Sequence, residues 1–292
     1  MKISMPQETV ILPITITVRP YLQDHRFEGN AVFPAVEAMQ VLARAAKELA
    51  PMTDITVSTA IKFEKFLIIP PGSKKIEALC RISPFENGDV AAVLQTKFKS
   101  KSAAFTRTKE HVTVHFPRIK PAVAACPGNP SRFGKTGCLE ISPDRIYREL
   151  VPFGPAYHNI SQNLAIHKDG ALAQIQAPQF NHPAEKDRLL GSSFVLDAAF
   201  HAACVWGQRY SKIVAFPVAV ERRIIVKPTR QGNTYNCMII PTGTDSDRLI
   251  FDIFICDEDN ALYESALGVH MRDVSASRMK PPAWIFETDA KI

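Results

Sequence analysis

One segment of the chain is apolar on every side, and it limits the fold more than any other. The run "SSFVLDAAFHAACVWGQRY" at residues 192–210 has helical length and composition, and it predicts a helix over residues 193–210. An amphipathic surface helix shows a polar stripe, whereas a helix that is apolar nearly all round is enclosed by the rest of the protein. The remainder of the chain must therefore supply a cover, and a long antiparallel sheet wrapped around the helix would do so.

The other segments supply strands on both sides of this helix. In the first half, the β-branched run at residues 11–18 predicts a strand, and helical spacing follows from residue 34 to about residue 50. Pro34 fits the first helical turn, and Pro51 ends the pattern. Four β-like segments come next. The second half has a short helix with Ser142 as its N-cap, a hairpin across Asp169-Gly170, the apolar helix, and three or four strands.

Each half thus has a leading strand region, one buried helix and a run of strands. An internal duplication of one α+β unit accounts for this order. We therefore predict a double hot-dog fold, in which two tandem units each wrap a long antiparallel sheet around a central helix. We expect an N-terminal unit at residues 1–120, a Pro/Gly-rich linker at residues 121–137, and a C-terminal unit at residues 138–292.

Composition narrows the class of protein. Lys and Arg number 35 against 29 Asp and Glu, but they are dispersed, so the net charge of +6 does not indicate nucleic-acid binding. No uncharged apolar run is long enough to span a membrane, and Pro6 and Glu8 interrupt the place where a signal peptide has its apolar centre. The six cysteines form no Cys-x-x-Cys pair. We expect a cytoplasmic protein with reduced thiols.

Two polar residues, Asp197 and His201, interrupt the apolar helix. They are four positions apart and so share one helix face. Burying a carboxylate without a partner is costly, so Asp197 must be paired, neutral or facing a polar pocket. Two interpretations remain open at this point: a pair that satisfies itself in the core, or a reactive pair at a pocket.

Two other histidine patterns are weak when taken alone. His25 lies in the polar stretch "QDHRFEG" before the first predicted helix, where most histidines are solvated. The segment "HVTVH" places His111 and His115 on one face of a strand, a spacing that can bind metal. No third ligand is obvious nearby, so we interpret this segment as a surface strand and predict no metal site.

Three segments, in order, resemble the motifs of dehydratase domains in polyketide synthases and related fatty acid synthases. "HRFEGNAVFP" has the family's His-x-x-x-Gly-x-x-x-x-Pro spacing, "VPFGPAYHNI" is similar to its Tyr-Gly-Pro motif, and "LDAAFHAA" is similar to its Asp-x-x-x-Gln or Asp-x-x-x-His motif. The resemblance extends over about residues 10–275 and implies the double hot-dog fold of this family.

The resemblance implies a dehydratase that removes water from a 3-hydroxyacyl thioester on an acyl carrier protein and yields a 2-enoyl thioester. It implies that His25 is the base for the C2 proton and that Asp197, with a pKa raised by burial, is the acid for the C3 hydroxyl. The phosphopantetheine of the carrier holds the substrate, so no other cofactor is expected. The substrate-binding residues that it indicates are His201, Gly29, Pro34, Ala35, Phe153, Gly154 and Pro155.

Partners are expected on the same basis. They are an acyl carrier protein and components of a polyketide or fatty acid synthase, and hot-dog enzymes commonly form homodimers. Because the chain starts at Met1, we expect a free-standing protein.

The chain departs from the family at two positions. Phe153 replaces the family's Tyr, and Ala35 stands where the family usually has Gly. The fold alone does not decide the chemistry. The alternatives are an enoyl hydratase or isomerase that acts on CoA or carrier thioesters, and an inactive hot-dog module that binds a carrier protein.

Overall fold

A single antiparallel sheet of 12 strands forms the frame of the protein. The structure, a computed structural model, describes residues 8–99, 106–126, 138–180, 188–245 and 248–287. The strands of the large sheet are β1 (Val10–Thr17), β4 (Val57–Phe63), β6 (Lys75–Pro84), β7 (Val90–Lys99), β8 (Thr106–Phe116), β9 (Leu139–Ile141), β10 (Leu164–His167), β11 (Gly170–Gln176), β12 (Phe216–Ile225), β13 (Thr234–Asp245), β14 (Arg248–Cys256) and β15 (Leu262–Arg272). A small second sheet contains β2 (Arg26–Phe27), β3 (Asn30–Phe33) and β5 (Leu67–Ile68).

The large sheet joins the two halves of the chain without a break. Its spatial order is β1-β6-β7-β8-β4-β12-β15-β14-β13-β11-β10-β9, so the N-terminal strands occupy one end and the C-terminal strands the other. The junction is the antiparallel pair β4–β12, in register from Ala219 opposite Lys62 to Ile224 opposite Val57. The division at residues 120 and 138 stays a prediction, and residues 127–137 of the expected linker lie outside the described residues.

Helix α1 (Ala35–Leu49) lies against the N-terminal part of the sheet. Its buried apolar residues recur at helical spacing and pack against β6, β7 and β8; they are Val36, Ala38, Met39, Leu42, Ala43, Ala45 and Ala46. Pro34 is the N-cap residue with extended backbone, one position before the first helical turn where the sequence placed it. The chain therefore enters the helix directly from β3.

Helix α2 (Ser193–Ser211) lies against the C-terminal part of the sheet and confirms the prediction of an enclosed apolar helix. Every residue from Ser193 to Gln208 is buried, and the helix packs against β10 to β14. Lys212 ends it in the left-handed conformation. The two helices also contact each other. Ser193 Oγ donates to the Glu37 carboxylate at 2.7 Å, so their N-terminal turns meet between the two halves.

A β-bulge in β8 changes the direction in which His111 of the segment "HVTVH" points. Leu94 pairs with Val112 and Gln95 pairs with Glu110, which leaves His111 as the extra residue. His111 is 3% exposed, whereas His115 is only half-buried. The interpretation of both as surface residues on one strand face was therefore wrong for His111.

Two kinds of feature, a membrane-spanning helix and a metal site, are absent from the described part of the chain. No helix there has the length and hydrophobicity that crossing a bilayer requires. The same residues bring no three His, Cys, Asp or Glu side chains together in a way that could hold a metal ion.

Candidate active site

The backbone of β3 fixes the ring of His25. The main chain of His25 pairs with Val32 through a Val32 N–H to His25 carbonyl hydrogen bond of 2.8 Å. The imidazole Nδ1 lies 3.0 Å from the Val32 carbonyl oxygen. A carbonyl oxygen can only accept, so Nδ1 carries the proton and, in the neutral ring, Nε2 has the free lone pair. Nε2 is thus the basic atom, and it points away from the strand.

The hairpin between β2 and β3 explains the spacing from His25 to Gly29. Glu28 and Gly29 are the two residues of this turn, and both have positive φ, 47° and 79°. A two-residue hairpin of this kind needs positive φ at both positions, which glycine tolerates best. Gly29 is exposed at the tip of the hairpin, so it shapes the path of the chain away from the ring.

Helix α2 places Asp197 opposite His25. Asp197 Oδ1 lies 3.8 Å from His25 Nε2, and Asp197 Oδ2 lies 3.0 Å from His201 Nε2 one turn further along. The second contact is close but lacks the alignment of a hydrogen bond, and neither ring nitrogen of His201 has a hydrogen-bond partner within the described residues. The carboxylate therefore stands between two imidazoles, one from each half of the chain.

The loop with Phe153 closes the other side of His25. The Phe153 ring stacks on the imidazole with 4.5 Å between centroids, and Tyr157 meets the same ring edge-on at 5.0 Å. Asp24, the neighbour of His25, holds this loop: its carbonyl accepts from Gly154 N at 2.8 Å and its carboxylate accepts from Ala156 N at 2.9 Å. A Cβ on residue 154 would come within 2.5 Å of Asp24 Cγ. Glycine is thus required by the close approach.

One apolar cavity of about 210 Å³ lies beside these residues. Its wall includes five of the residues singled out from the sequence, namely His25, Ala35, Phe153, Asp197 and His201. Buried apolar side chains form its inner end, including Ala38, Leu94, Cys204 and Met271. Both halves of the chain contribute to it, as the sequence predicted for His25 and Asp197.

The other sequence-predicted residues lie outside the cavity wall. Gly29 is in the hairpin turn, Pro34 caps helix α1, and Gly154 and Pro155 lie behind Phe153. In the structure these four residues determine the backbone path of the segments that contain the cavity-lining residues His25, Ala35 and Phe153.

Sequence reasoning missed the outer part of the cavity. Phe27, Phe66 and Phe216 line it, with ring centroids 4.6 Å apart for Phe27–Phe66 and 5.2 Å apart for Phe27–Phe216. Phe66 is 37% exposed, which marks this aromatic cluster as the entrance. Phe27 lies in the two-residue strand β2, Phe66 lies between β4 and β5, and Phe216 is the first residue of β12, so the three rings share no periodicity. His111 also lines the cavity because the bulge turns it inward; Thr96 Oγ1 at 2.8 Å and the Lys65 carbonyl at 2.9 Å hold its two nitrogens.

Burial and neighbouring charge set the protonation of the pair. Burial lowers the pKa of His25 below 6.5, and the attraction of Asp197 only partly opposes this effect. For Asp197, burial acts to raise the pKa, but positive charge on His201 and His25 outweighs burial and leaves the pKa below 3.8. The expectation of a raised pKa for Asp197 was therefore wrong, because it gave burial in the apolar helix more weight than the opposing effects of His201 and His25. At neutral pH the site holds neutral His25 and ionised Asp197.

The fold and this site define a double hot-dog protein whose two units share one cavity. Residues 2–92 match the family model described as polyketide synthase dehydratase domain, and residues 135–281 match the one described as polyketide synthase dehydratase N-terminal domain. The chain belongs to the polyketide synthase dehydratase family. Membership of this family confirms the predictions of the family, of the double hot-dog fold and of a dehydratase. The reaction of the family is dehydration of 3-hydroxyacyl intermediates on acyl carrier proteins.

Individual relatives are distant in sequence. The chain is 20% identical over 287 residues to polyketide synthase PksM of Bacillus subtilis (strain 168); the match covers 93% of this chain and 6% of that much longer protein. Among solved structures, the dehydratase domain from the CurF module of curacin polyketide synthase has a TM-score of 0.73 at 15% identity, covering 93% of this chain and 96% of that one. A trans-AT polyketide synthase dehydratase domain from Brevibacillus brevis has a TM-score of 0.72 at 19% identity, covering 90% and 93%.

Proposed function

We propose that this chain dehydrates 3-hydroxyacyl thioesters with His25 as the base and Asp197 as the acid. The observation that supports this most is the 3.8 Å between His25 Nε2 and Asp197 Oδ1 at the wall of one apolar cavity. Elimination of water needs a group that accepts the C2 proton and a group that protonates the leaving C3 hydroxyl. A pair at this distance can reach adjacent carbons of one acyl chain.

The protonation of His25 and Asp197 explains how one proton can serve both steps. Neutral His25 takes the C2 proton on Nε2, the atom with the free lone pair. Ionised Asp197 has no proton of its own, so it receives this proton from His25 and passes it to the hydroxyl as the C3–O bond breaks. The products are water and the 2-enoyl thioester, and the pair returns to its starting state. His201 supports the path because its interaction with Asp197 lowers the pKa of that carboxyl group, which is therefore ionised before substrate arrives.

The N-terminus of helix α1 is suited to the thioester carbonyl. The first helical hydrogen bonds begin at the N–H groups of Glu37 and Ala38, which both reach the Pro34 carbonyl. The N–H groups of Ala35 and Val36 precede them, have no carbonyl acceptor within helix α1, and can bind an outside acceptor. Ala35 lines the cavity, so negative charge that develops on the carbonyl oxygen in the enolate-like transition state can be stabilised there.

The substrate enters between the aromatic rings at the mouth. The acyl chain fits the apolar inner end, and the phosphopantetheine arm of a carrier protein extends outward past Phe66. The carrier protein and other synthase components are proposed partners on the basis of the family, and the net charge of +6 favours an acidic carrier. A homodimer remains an expectation from hot-dog enzymes, which sedimentation velocity would test.

The test is the loss of water from a panel of carrier-bound 3-hydroxyacyl chains, followed by mass spectrometry. We expect turnover by the native chain and a decrease of about 10²–10⁴-fold in His25→Ala and in Asp197→Asn. Matched controls are His270→Ala and Asp169→Asn, which change the same residue types at other, more accessible places. Full activity in both site variants would refute the roles.

The same panel separates the alternative activities. Turnover only with CoA thioesters would indicate a CoA-linked hydratase, and a shifted double bond without loss of water would indicate an isomerase. Carrier binding without turnover by the native chain would indicate a binding module.

A further inference from the structure

A pair of thiols lies on the outer face of the C-terminal part of the sheet, in a region that the dehydratase site does not use. The sulfur atoms of Cys126 and Cys256 are 3.6 Å apart although 130 positions separate them in the sequence. We propose that these two residues form a redox-active pair that a peroxide oxidises to a disulfide.

The segment after β8 brings the two cysteines together. Residues 117–126 cross from the N-terminal strands to the C-terminal ones, and Ala124 and Cys126 pack on Met238 and Phe254. Cys256 is the last residue of β14 and is paired with Asn236 in β13. One partner therefore lies in an irregular segment and the other in a rigid strand. A disulfide has about 2.0 Å between its sulfurs, and the irregular segment is the part that can move closer.

The two thiols have different roles in the chemistry. Cys256 is buried and donates its S–H to the Cys126 sulfur, whereas Cys126 is only half-buried. Burial, with Cys126 beside it, raises the pKa of Cys256 to about 12. Cys126 is therefore the sulfur that an oxidant reaches first, and Cys256 is the resolving thiol.

The reaction is balanced with one molecule of hydrogen peroxide. The Cys126 sulfur attacks one peroxide oxygen, the O–O bond breaks, and the products are the sulfenic acid and water. The Cys256 sulfur then attacks the sulfenic sulfur, the S–OH bond breaks, and its proton leaves with the hydroxyl as a second water. The two thiols lose two electrons, and peroxide gains them. A dithiol reductant restores both thiols, so in a reducing compartment the disulfide is transient.

Oxidant has a route to this pair that avoids the acyl cavity. Cys126, Cys237 and Cys256 line a separate cavity of about 250 Å³, which is large compared with one water molecule. The residues of its wall do not occur in the wall of the cavity with His25 and Asp197. The disulfide would fix residues 117–126 to the sheet and leave the reacting groups in place.

Peptide mapping tests the pairing directly. The full chain is treated with graded hydrogen peroxide, alkylated, digested with trypsin without reductant and analysed by mass spectrometry. Lys or Arg residues separate Cys126, Cys138, Cys237 and Cys256, so each lies in its own peptide. We expect a linked Cys126–Cys256 peptide that lacks two hydrogens and disappears after reduction. Linkage of Cys126 to Cys138, or oxidation of Cys126 to sulfinic acid without any linkage, would overturn the proposal.

Variants give a second and independent measurement. Oxidation should raise the melting temperature of the native chain, reductant should reverse the rise, and Cys126→Ser should abolish it. Cys138→Ser is the matched control, since it is half-buried in the same apolar patch and should keep both the linked peptide and the rise. A rise that persists in Cys126→Ser would contradict the assignment. Dehydratase turnover should be the same before and after oxidation. If the reduced chain showed no turnover at all, that result would count against the proposed function and not against the thiol pair.

Discussion

Replacing Gly154 with alanine tests how the fold positions the proposed base. The new Cβ would lie 2.5 Å from Asp24 Cγ and 2.6 Å from Asp24 Cβ. Carbon atoms pack best about 3.5–4.0 Å apart, so the two segments must separate by roughly 1 Å. The backbone of Gly154 has φ of −75°, which any residue adopts, so the effect would come from this contact and not from backbone strain.

Two consequences of that separation can be given a magnitude. Overpacking a tight contact destabilises a protein by about 1–3 kcal/mol, and one kcal/mol lowers the melting temperature of a large domain by roughly 2–4 °C. A decrease of roughly 2–12 °C is therefore expected. The movement also displaces Phe153, which stacks on His25. A misplacement of about 1 Å can reduce turnover about 10²-fold, so kcat/KM should fall more than stability alone explains.

The assay compares melting temperature with kcat/KM for a carrier-bound 3-hydroxyacyl substrate. Gly243→Ala is the control, because a Cβ at that position would meet Ile250 Cδ1 at 3.7 Å, an ordinary contact distance. If Gly154→Ala matched this control in both measurements, the contact with Asp24 would not position the base.

Three further outcomes follow from the charges of the structure. His25 accepts a proton only when neutral and has a pKa below 6.5, so kcat/KM should rise with pH through that pKa and stay level at neutrality; a decrease there would show that Asp197 must be protonated beforehand. His201 lowers the pKa of His25 as well as that of Asp197, so in His201→Gln the acidic loss of kcat/KM, which follows His25, should move to higher pH; an unmoved profile would exclude this role. Arg223→Met should destabilise the chain by about 3–5 kcal/mol because it leaves the buried carboxylate of Glu264 unpaired, and Glu264→Leu added to it should restore stability in denaturant melts.

The structural features that have strong local sequence patterns could be predicted from the sequence. Helix α2 was predicted over residues 193–210 and ends at Ser211, because its apolar composition leaves no alternative to burial. Helix α1 was found within one residue of each predicted end. The meeting of His25 and Asp197 at one cavity was predicted from motif order, since no local pattern connects two residues so far apart in the chain.

Features that depend on contacts between segments were not predictable. Strict alternation in "HVTVH" places His111 and His115 on one strand face, but the bulge inserts one residue and turns His111 into the cavity wall. The pKa of Asp197 is a balance in which burial raises it and His201 and, to a smaller extent, His25 lower it; the helix sequence shows these groups in part but not which effect is larger. Strands β2, β3 and β5 are too short to show a periodicity.

The strand pair β4–β12 has a consequence for the order of folding. Each half can form its hairpins locally, but His25 and Asp197 face each other only after this distant pairing is complete. Contacts between remote segments form slowly, because the chain between them loses entropy before the contact stabilises it. Dehydration should therefore return later than the helical signal when the denatured chain is diluted into buffer, and recovery of enzymatic turnover would time the last step of assembly.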